Sequence, residues 1–393
     1  MSLRRDSWPK RRNMSSIRKR QWKTPTGEKR TAWLVDYRDA AGKRRAKQFA
    51  RKKDADAWAV NALAEVQHGV HTPDSVSVTV AKAAELWLDS VRASDREPTT
   101  IAAYEQHIRL HIVPRCGAQK LSQLTAPKAR ALLDSWLADL SRPMATRVFR
   151  SFKAILTDAQ ARALVGQNVA LAVKVPKAPR KRRQASPPTK AEIRAILEAA
   201  ATSEDLKGRA LVELVVFTGM RASEIRGLAW PSVDLKKGHV RVEQRADAKG
   251  MLGPPKSESG FRTIPLPDRV VGTLRKWKLA CPHHAKELVF PSQTGKVLSH
   301  GVMVKNHLQP TLIAAGVTIT GEGQDEAVAK YTAHKFRHAA ASLWIDRGLN
   351  AKRVQALVGH GSIQVTFDIY GHLFEEQGTS DANAIESALF GDE

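Results

Sequence analysis

Apolar residues recur along this chain at two different spacings, and the spacing changes where the predicted architecture changes. Over residues 31–37 apolar and polar positions alternate, and residues 43–49 repeat the alternation after a turn, so two strands are expected. From about 53 to 67 the apolar positions follow helical spacing. Residues 1–75 are therefore predicted to form a small sheet with one helix, and the basic residues 1–20 to form a mobile arm before it.

Helical spacing dominates the next hundred residues. Val80, Trp87 and Val91 share one face of the first predicted helix, and Pro127 stands at the first turn of the third, where its missing N–H is harmless. Residues 76–176 are therefore predicted to form an all-helical bundle. The four predicted helices are 78–91, 99–112, 125–140 and a last one that starts at Ser141 or Pro143 and reaches 163.

A proline-rich basic stretch, residues 177–189, follows the bundle. Its three prolines oppose helix formation, and its cations could release counterions from a phosphate backbone. A nuclear localisation signal has the same composition, but a linker that lies along DNA fits the flanking segments better. The four consecutive cations are Arg180, Lys181, Arg182 and Arg183.

The last segment mixes helices with one short strand pair. Thr189 fits a helix N-cap with Glu192 three residues on. Strands are expected near 240–244 and 261–266. Thr332, Asn350 and Ser362 are expected to cap the last three helices.

The predicted fold class is multidomain, mainly α with small β elements (α+β). The predicted divisions are a basic sheet-plus-helix domain (1–75), a helical domain (76–176), a linker (177–189), a mixed, mostly helical domain (190–378) that contains the motifs described below, and a tail (379–393).

Charge identifies the class of partner. The 393 residues contain 64 Lys and Arg against 39 Asp and Glu, a formal net charge of +25. Residues 1–75 alone carry 19 Lys and Arg against 8 Asp and Glu. Such a field attracts polyanions, which favours nucleic acid over the alternative of a merely soluble basic protein.

Cysteine content and hydropathy exclude other classes. Cys116 and Cys281 are the only cysteines, too few for a disulfide framework or a zinc ribbon, and this usage fits a reducing cytosol. No run of about 20 apolar residues predicts a membrane span.

Five short motifs follow one another in the C-terminal half, and together they contain two Arg, one Lys, two His and one Tyr. Opening a phosphodiester requires a nucleophile, positive charge on the phosphate and an acid for the leaving oxygen. This set supplies all three without a metal. The motifs are 218–224 (Thr-Gly-Met-Arg-Ala-Ser-Glu), 256–262 (Lys-Ser-Glu-Ser-Gly-Phe-Arg), 334–337 (His-Lys-Phe-Arg), Gly359-His360 and Tyr370.

The ordered set resembles that of the tyrosine recombinases of the phage integrase family. The resemblance implies that Tyr370 is the nucleophile and that Arg221 and Arg337 hold the two non-bridging phosphate oxygens. Guanidinium suits this task because it stays charged and can donate two parallel hydrogen bonds. His360 would donate to a phosphate oxygen. His334 would accept the Tyr370 proton or bond a phosphate oxygen.

The remaining polar residues of these motifs receive supporting or structural roles. Lys256 resembles the lysine that protonates the 5′ oxygen; Lys249 is the alternative, and the pattern after residue 261 favours Lys256. Glu224, three residues from Arg221, is expected to orient it. Arg226 is read as a surface residue or a DNA-backbone contact. His338 and His372 are given structural roles, and for His372, two residues after Tyr370, an assisting role is the alternative.

The resemblance implies a site-specific integrase that acts on double-stranded DNA attachment sites. Strand exchange would pass through a Holliday junction in a homotetramer, with accessory DNA-bending or directionality proteins, in the prokaryotic cytoplasm and at its nucleoid. The element would be a phage or a genomic island. Residues 1–75 resemble an arm-type DNA-binding domain, 76–176 the SAM-like core-binding domain, and 379–393 a tail that contacts a neighbouring subunit.

Two other functions share part of this evidence. A type IB topoisomerase uses the same Arg, Lys, His and Tyr chemistry, but it does not exchange strands between duplexes. A basic architectural protein would share the composition, but it predicts decay of a catalytic position, and none has decayed. The chain has no P-loop and no clustered carboxylates, so neither a nucleotide, a metal nor another cofactor is expected.

Overall fold

The computed structural model describes residues 15–176, 187–319 and 327–375. The chain forms two compact units, residues 1–180 and 181–393. The mainly helical fold class with small sheets is confirmed. The further division of the first unit at residue 75 stays a prediction.

The first unit begins with a three-stranded antiparallel sheet in the order β1-β2-β3. The tight turns use Gly27 and Gly42, both at positive φ. One helix, α1, covers a face of the sheet and buries Val35 against Ala55 and Ala59. These elements are β1 (Ser15–Lys23), β2 (Lys29–Arg38), β3 (Arg44–Phe49) and α1 (Lys52–Gln67).

The first strand corrects the prediction of a mobile arm over residues 1–20. Residues 15–20 belong to β1, where Lys23 pairs with Lys29 and Ser15 with Tyr37. The strand lies at the edge of the sheet and most of its side chains are exposed. Because most of its residues are charged or polar, the strand lacks the alternation of apolar and polar positions that predicts a strand. Charged residues on an edge strand protect a sheet against aggregation. Residues 1–14 lie outside the described residues.

The helical bundle of the first unit agrees with its prediction, with one irregularity. The second predicted helix changes to a π-helical turn at Ile108–Ile112. Trp136, Phe149 and Phe152 are fully buried at the centre. The helices are α2 (Val80–Ala93), α3 (Pro98–His107), α4 (Val113–Cys116), α5 (Ala126–Asp139) and α6 (Arg142–Ala161).

The second unit starts at the predicted capping box. The Thr189 hydroxyl accepts from the Glu192 N–H, and the Glu192 carboxylate accepts from the Thr189 N–H. The elements that follow are α7 (Lys190–Thr202), α8 (Leu206–Thr218), α9 (Ala222–Gly227), β4 (Val233–Asp234), β5 (His239–Val242), β6 (Arg245–Ala246), β7 (Leu252–Gly253), β8 (Arg262–Pro265) and α10 (Asp268–Ala280). The order β4-β5-β8 forms one antiparallel sheet, and β6 pairs with β7.

The C-terminal half of this unit is helical and carries most of the site. Asn350 caps α14 by accepting from the Arg353 N–H, as predicted, whereas Thr332 precedes α13 without a side-chain cap bond. The Ser362 hydroxyl accepts from the Gln364 N–H at the start of α15. The elements are α11 (His300–Val302), α12 (Gln309–Ala314), β9 (Thr318–Ile319), β10 (Val328–Ala329), α13 (Ala333–Asp346), α14 (Ala351–Val358) and α15 (Ile363–Glu375).

No helix among the described residues is long and apolar enough to cross a membrane. The core of the second unit packs α8 against α10 and α13, with Leu211, Ile264 and Phe336 fully buried. The C-terminal end of α8, the N-terminal end of α9 and the C-terminal end of α14 lie close together. Each of the first four motifs has a residue at this place.

Candidate active site

The C-terminus of α14 gathers three guanidinium groups. The helix ends at Gly359, whose φ of 72° is left-handed. The last carbonyls of a helix have no intrahelical partner and carry partial negative charge, so they attract cations. The hydrogen bonds run from Arg262 Nε to Leu357 O (2.8 Å), from Arg337 Nη2 to Val358 O and from Arg221 Nη2 to Gly359 O (3.0 Å).

Glu224 holds two of these arginines from the other side. Its carboxylate accepts from the Arg221 N–H (2.9 Å) and Nη1 (2.7 Å), and from Arg262 Nη2 (2.7 Å). Burial raises the pKa of Glu224, but the hydrogen bonds and charges of Arg262 and Arg221 outweigh it, so the pKa lies below its ordinary value. Glu224 is therefore an anion that fixes the direction of Arg221.

Arg337 is the most enclosed of the three cations, with 3% of its surface exposed. Its Nη1 donates to Gly219 O at 3.0 Å, at the left-handed end of α8. Burial, together with the charges of Arg221 and Arg262, lowers the pKa of Arg337 to about 9, so the group remains a cation at neutral pH. A guanidinium has five N–H donors, and the bonds above leave donors on Arg221 and Arg337 for a phosphate.

Tyr370 lies in α15 and is buried among the side chains of α13 and α14, including Ile345 and Val358. Its hydroxyl is 2.7 Å from His338 Nδ1. Burial raises the pKa of Tyr370 to about 12, although the charge of Arg337 opposes this shift. Sequence reasoning missed this contact, because it gave His338 a structural role. The available signal was the spacing from His334, four residues earlier on the same face of α13.

His334 is exposed and lines a cavity of about 360 Å³ together with Arg221, Met220 and Thr332. Partial desolvation by the neighbouring side chains and the charges of Arg337 and Arg221 lower its pKa. Its ring lies 4.8 Å from that of His338 in an edge-to-face arrangement. The two histidines of α13 therefore differ in surroundings: His334 lies beside Arg221, and His338 contacts the tyrosine.

His360 follows the end of α14, and its Nδ1 is 3.1 Å from the hydroxyl of Thr366, which is fully buried. Burial and the charges of Arg337 and Arg221 lower the pKa of His360 to about 4, so the ring is neutral at pH 7. When the Thr366 hydroxyl donates to Nδ1, the proton of the ring lies on Nε2, which can then donate to a phosphate oxygen. Sequence reasoning missed Thr366.

Lys256 stands apart from this cluster. It is exposed in the loop between β7 and β8, and it makes no hydrogen bond or ion pair with any residue that the structure describes. Lys249, the alternative, is also exposed, in the turn between β6 and β7, where its N–H donates to Asp247. The structure thus brings together Glu224, Arg221, His334, Arg337, His360 and Tyr370, while Lys256 is on a surface loop.

Arg226 does not lie on the surface, so the prediction of a surface or DNA-backbone residue is wrong. Its side chain is buried and donates to Leu298 O (2.6 Å) and Asp247 O (3.0 Å). Burial lowers its pKa. Arg226 therefore connects α9 to two neighbouring loops.

Several predicted residues lie outside the part of the chain that the structure describes. They are Arg180, Lys181, Arg182 and Arg183 of the linker, the tail 379–393 and the side chain of His372.

Two sequence profiles match the chain. Residues 189–377 match the phage integrase family, and residues 79–137 match the phage integrase N-terminal SAM-like domain. An integrase of Streptomyces ambofaciens is 29% identical over 371 residues, which cover 87% of this chain and 90% of the relative. The chain belongs to the phage integrase family of tyrosine recombinases.

Solved structures of integrases share this fold. The Tn1549 transposon integrase in complex with a circular intermediate DNA matches with a TM-score of 0.63 at 19% identity, over 80% of this chain and 100% of that one. A lambda integrase tetramer bound to a Holliday junction matches with a TM-score of 0.55 at 22% identity, over 87% and 95%. Arg221, His334, Arg337, His360 and Tyr370 all lie in the range that matches the phage integrase profile.

Proposed function

We propose that this integrase-family protein is a site-specific DNA recombinase that cuts and rejoins DNA through a 3′-phosphotyrosine at Tyr370. One observation carries the proposal. The guanidinium groups of Arg221 and Arg337 are fixed on neighbouring carbonyls of one helix end, with N–H donors to spare. A preorganised pair of cations stabilises the negative charge that grows on a phosphate as a nucleophile attacks.

The covalent step follows from this arrangement. The Tyr370 oxygen attacks the phosphorus, the bond to the 5′ oxygen breaks, and the phosphate stays on the enzyme. The new bond is a phosphodiester like the one lost, so the free energy is retained and religation needs no nucleotide. Arg221 and Arg337 hold the non-bridging oxygens, and His360 donates to one of them from Nε2.

The leaving 5′ oxygen needs a proton, and we assign its donor to Lys256. The β7–β8 loop that carries Lys256 is exposed, so bound DNA can meet it. The loop is anchored at its far end, where Arg262 bonds Glu224 and Leu357 O. Lys256 would therefore complete the site only when DNA is present.

DNA binding would extend along the first unit and the linker. Arg18, Lys19, Arg20 and Lys23 are exposed on β1, which supports a role of residues 1–75 in contacting the DNA backbone. The bundle at 76–176 would contact the core of the attachment site. Arg180, Lys181, Arg182 and Arg183 would neutralise phosphates between the units.

Assembly and partners belong to the same proposal. A structural neighbour, lambda integrase, forms a tetramer on a Holliday junction, and we propose a homotetramer of this chain on its double-stranded attachment sites, in the prokaryotic cytoplasm and at its nucleoid. Accessory DNA-bending or directionality proteins would select integration or excision of a phage or genomic island. Residues 379–393 would contact the neighbouring subunit, so their deletion should weaken tetramer assembly.

A covalent-trapping assay tests the proposal. Purified protein is mixed with a labelled duplex from the sequence that flanks its own gene, nicked so that the cleaved end diffuses away. A protein–DNA adduct on a denaturing gel, present without added metal, is expected. Tyr370→Phe should abolish the adduct and retain DNA binding, whereas Tyr104→Phe should keep both.

The outcomes separate the competing functions. Tight binding without an adduct would favour the architectural protein. An adduct with relaxation of supercoils, but without exchange between two labelled duplexes, would favour a type IB topoisomerase.

A further inference from the structure

The hydroxyl of Tyr370 has one side-chain hydrogen-bond partner among the described residues. That partner is His338, whose Nδ1 lies 2.7 Å from Oη. The rest of the tyrosine is packed against apolar side chains of α13 and α14. A proton that leaves this hydroxyl therefore has an obvious acceptor, and it is not His334.

From this geometry we infer that His338 is a catalytic residue that accepts the proton of Tyr370 as the tyrosine attacks DNA. The inference rests on the proposed function and adds a residue to it. His338 directly follows Arg337 in α13, so one turn of helix would supply both a phosphate ligand and the base for the nucleophile.

The pocket keeps the His338 ring in the neutral form that a proton acceptor needs. Only a neutral imidazole can accept a proton. Burial, followed by the charges of His334, Lys335 and Arg337, lowers the pKa of His338 to about 4, so the ring is neutral at physiological pH. The charge of a protonated His338 would in turn lower the pKa of His360. The raised pKa of the buried Tyr370 keeps the phenol protonated until attack, which makes an adjacent acceptor necessary.

The proton and electron pairs balance in the cleavage step. The Tyr370 oxygen forms a bond to phosphorus while its proton moves to His338 Nδ1. The bond from phosphorus to the 5′ oxygen breaks, and that oxygen takes a proton from the acid assigned to Lys256. On religation the 5′ hydroxyl attacks the phosphorus and gives its proton back to Lys256, while the bond to Tyr370 breaks and the imidazolium of His338 returns its proton to the leaving phenolate.

This assignment divides the work between the two histidines of α13. His334 is exposed, lines the cavity beside Arg221 and has no hydrogen bond to Tyr370 among the described contacts. It is placed to bond a phosphate oxygen. His338 is half-buried, and its Nδ1 contacts the hydroxyl of Tyr370. The two positions therefore predict different responses to a change in the acidity of residue 370.

The first test compares His338→Ala with His338→Asn in single-turnover adduct formation on the nicked duplex. An Asn oxygen can occupy the Nδ1 position and accept a hydrogen bond, but it is not a base. If His338 accepts the proton, both variants should slow cleavage about a hundred- to ten-thousandfold, the range of general acid–base catalysis. DNA affinity and the urea midpoint should stay close to wild type for Asn. Recovery of the wild-type rate in His338→Asn would show a positioning role only and overturn the inference.

The second test replaces Tyr370 with 3,5-difluorotyrosine, a phenol of lower pKa, in the wild type, His338→Ala and His334→Ala. A more acidic nucleophile needs less help from a base. The fluorinated residue should therefore restore more cleavage in His338→Ala than in His334→Ala. An equal response in both, or a larger one in His334→Ala, would transfer the role to His334.

Wild-type protein distinguishes failure of the inference from failure of the proposed function. An adduct in the wild type with unchanged rates in His338→Ala would reject only the role of His338. Absence of any adduct in the wild type would reject the recombinase proposal and the inference together.

Discussion

The carboxylate of Glu224 and the guanidinium of Arg262 form a buried ion pair in which Nη2 lies 2.7 Å from Oε2, with side chains 2% and 5% exposed. The pair joins α9 to β8. Arg262 also reaches Leu357 O at the end of α14. Because Glu224 also binds Arg221, this single carboxylate connects Arg221, the proposed phosphate ligand, to α9, β8 and α14.

Removal of this carboxylate should destabilise the second unit. In Glu224→Ala the Arg262 cation stays buried without its partner, and loss of one member of a buried pair costs about 3–5 kcal/mol. Among the described residues, Arg221 also loses one of its two anchors and keeps only Gly359 O, so adduct formation should fall even at temperatures where the variant is folded. Urea unfolding followed by circular dichroism measures the first effect, and covalent trapping the second.

Asp346→Ala is the matched control for this experiment. Asp346 pairs with Lys190 in the same unit, but the two side chains are 46% and 66% exposed. An exposed pair contributes at most about 1 kcal/mol. Equal losses of stability in the two variants would contradict the role given to burial at Glu224.

Local pattern was sufficient for most elements of this fold. The Thr189–Glu192 capping box, the helices of the first unit and the β5–β8 pair all depend on interactions that short sequence windows encode. The first strand escaped prediction because only Ile17 and Trp22 interrupt its polar residues. The strand forms because it pairs with β2, and the residues of β1 alone do not predict that pairing.

The site shows a sharper limit of sequence reasoning. Motif order brings the catalytic candidates to attention, but it does not say which side chains meet. Glu224 and Arg262 are 38 residues apart, and His338 and Tyr370 are 32 apart. Arg226 is predicted to be a surface residue or a DNA-backbone contact, and arginine is seldom buried in proteins. Here the backbone carbonyls of two loops accept hydrogen bonds from Arg226 and offset the cost of burying it. Their positions cannot be predicted from the residues around Arg226.

The histidines of the site predict that the second unit loses stability in acid. Burial and neighbouring positive charge lower the pKa of both His338 and His360 to about 4, whereas an unfolded imidazole titrates near about 6.5. Between these values the unfolded chain binds more protons than the folded chain. Above about pH 6.5 the two histidines are neutral in both states and do not lower the free energy of unfolding. That free energy decreases as the pH falls from about 6.5 toward about 4.

Urea midpoints at about pH 7.5 and about pH 5 measure this effect. His360→Asn removes one of the groups and should reduce the difference between the two midpoints. His283→Asn, at an exposed position of the same unit, should leave the difference close to that of wild type. A difference that is the same in all three proteins would mean that other groups cause the acid sensitivity.

Gly359 should tolerate a methyl group less than other left-handed glycines. At Gly359 an added Cβ would lie 2.8 Å from Ser259 O and 3.1 Å from Arg262, whereas at Gly348, also at positive φ, it would meet nothing within 4 Å. Gly348→Ala should cost about 1–2 kcal/mol from backbone conformation alone. Gly359→Ala should cost a further about 1–3 kcal/mol from the clash, as measured by urea unfolding.

The same pair of variants tests whether the end of α14 positions the cations. Gly359→Ala should also slow adduct formation, because displacement of the helix end moves the carbonyls that hold Arg221 and Arg337. Gly348→Ala should retain the wild-type rate. If Gly359→Ala were destabilised but cleaved DNA at the wild-type rate, the carbonyls would not be positioning groups.

Thr366 should set the tautomer of His360 and thereby the rate of cleavage. Thr366→Val keeps the volume of this fully buried side chain and removes the hydroxyl that lies 3.1 Å from His360 Nδ1. Without that partner the ring can carry its proton on Nδ1, and Nε2 then no longer donates to the phosphate. Loss of one such hydrogen bond, about 0.5–1.5 kcal/mol, corresponds to a decrease of up to about tenfold in adduct formation.

Thr366→Ser, which keeps a hydroxyl, should cleave DNA faster than Thr366→Val, and DNA affinity should be similar in both. The effect must also pass through His360. In a His360→Ala background the Thr366→Val change should therefore cause no further loss, because the two residues act as one unit. Additive losses in the double variant would show that Thr366 supports the packing of α15 and does not act on the imidazole.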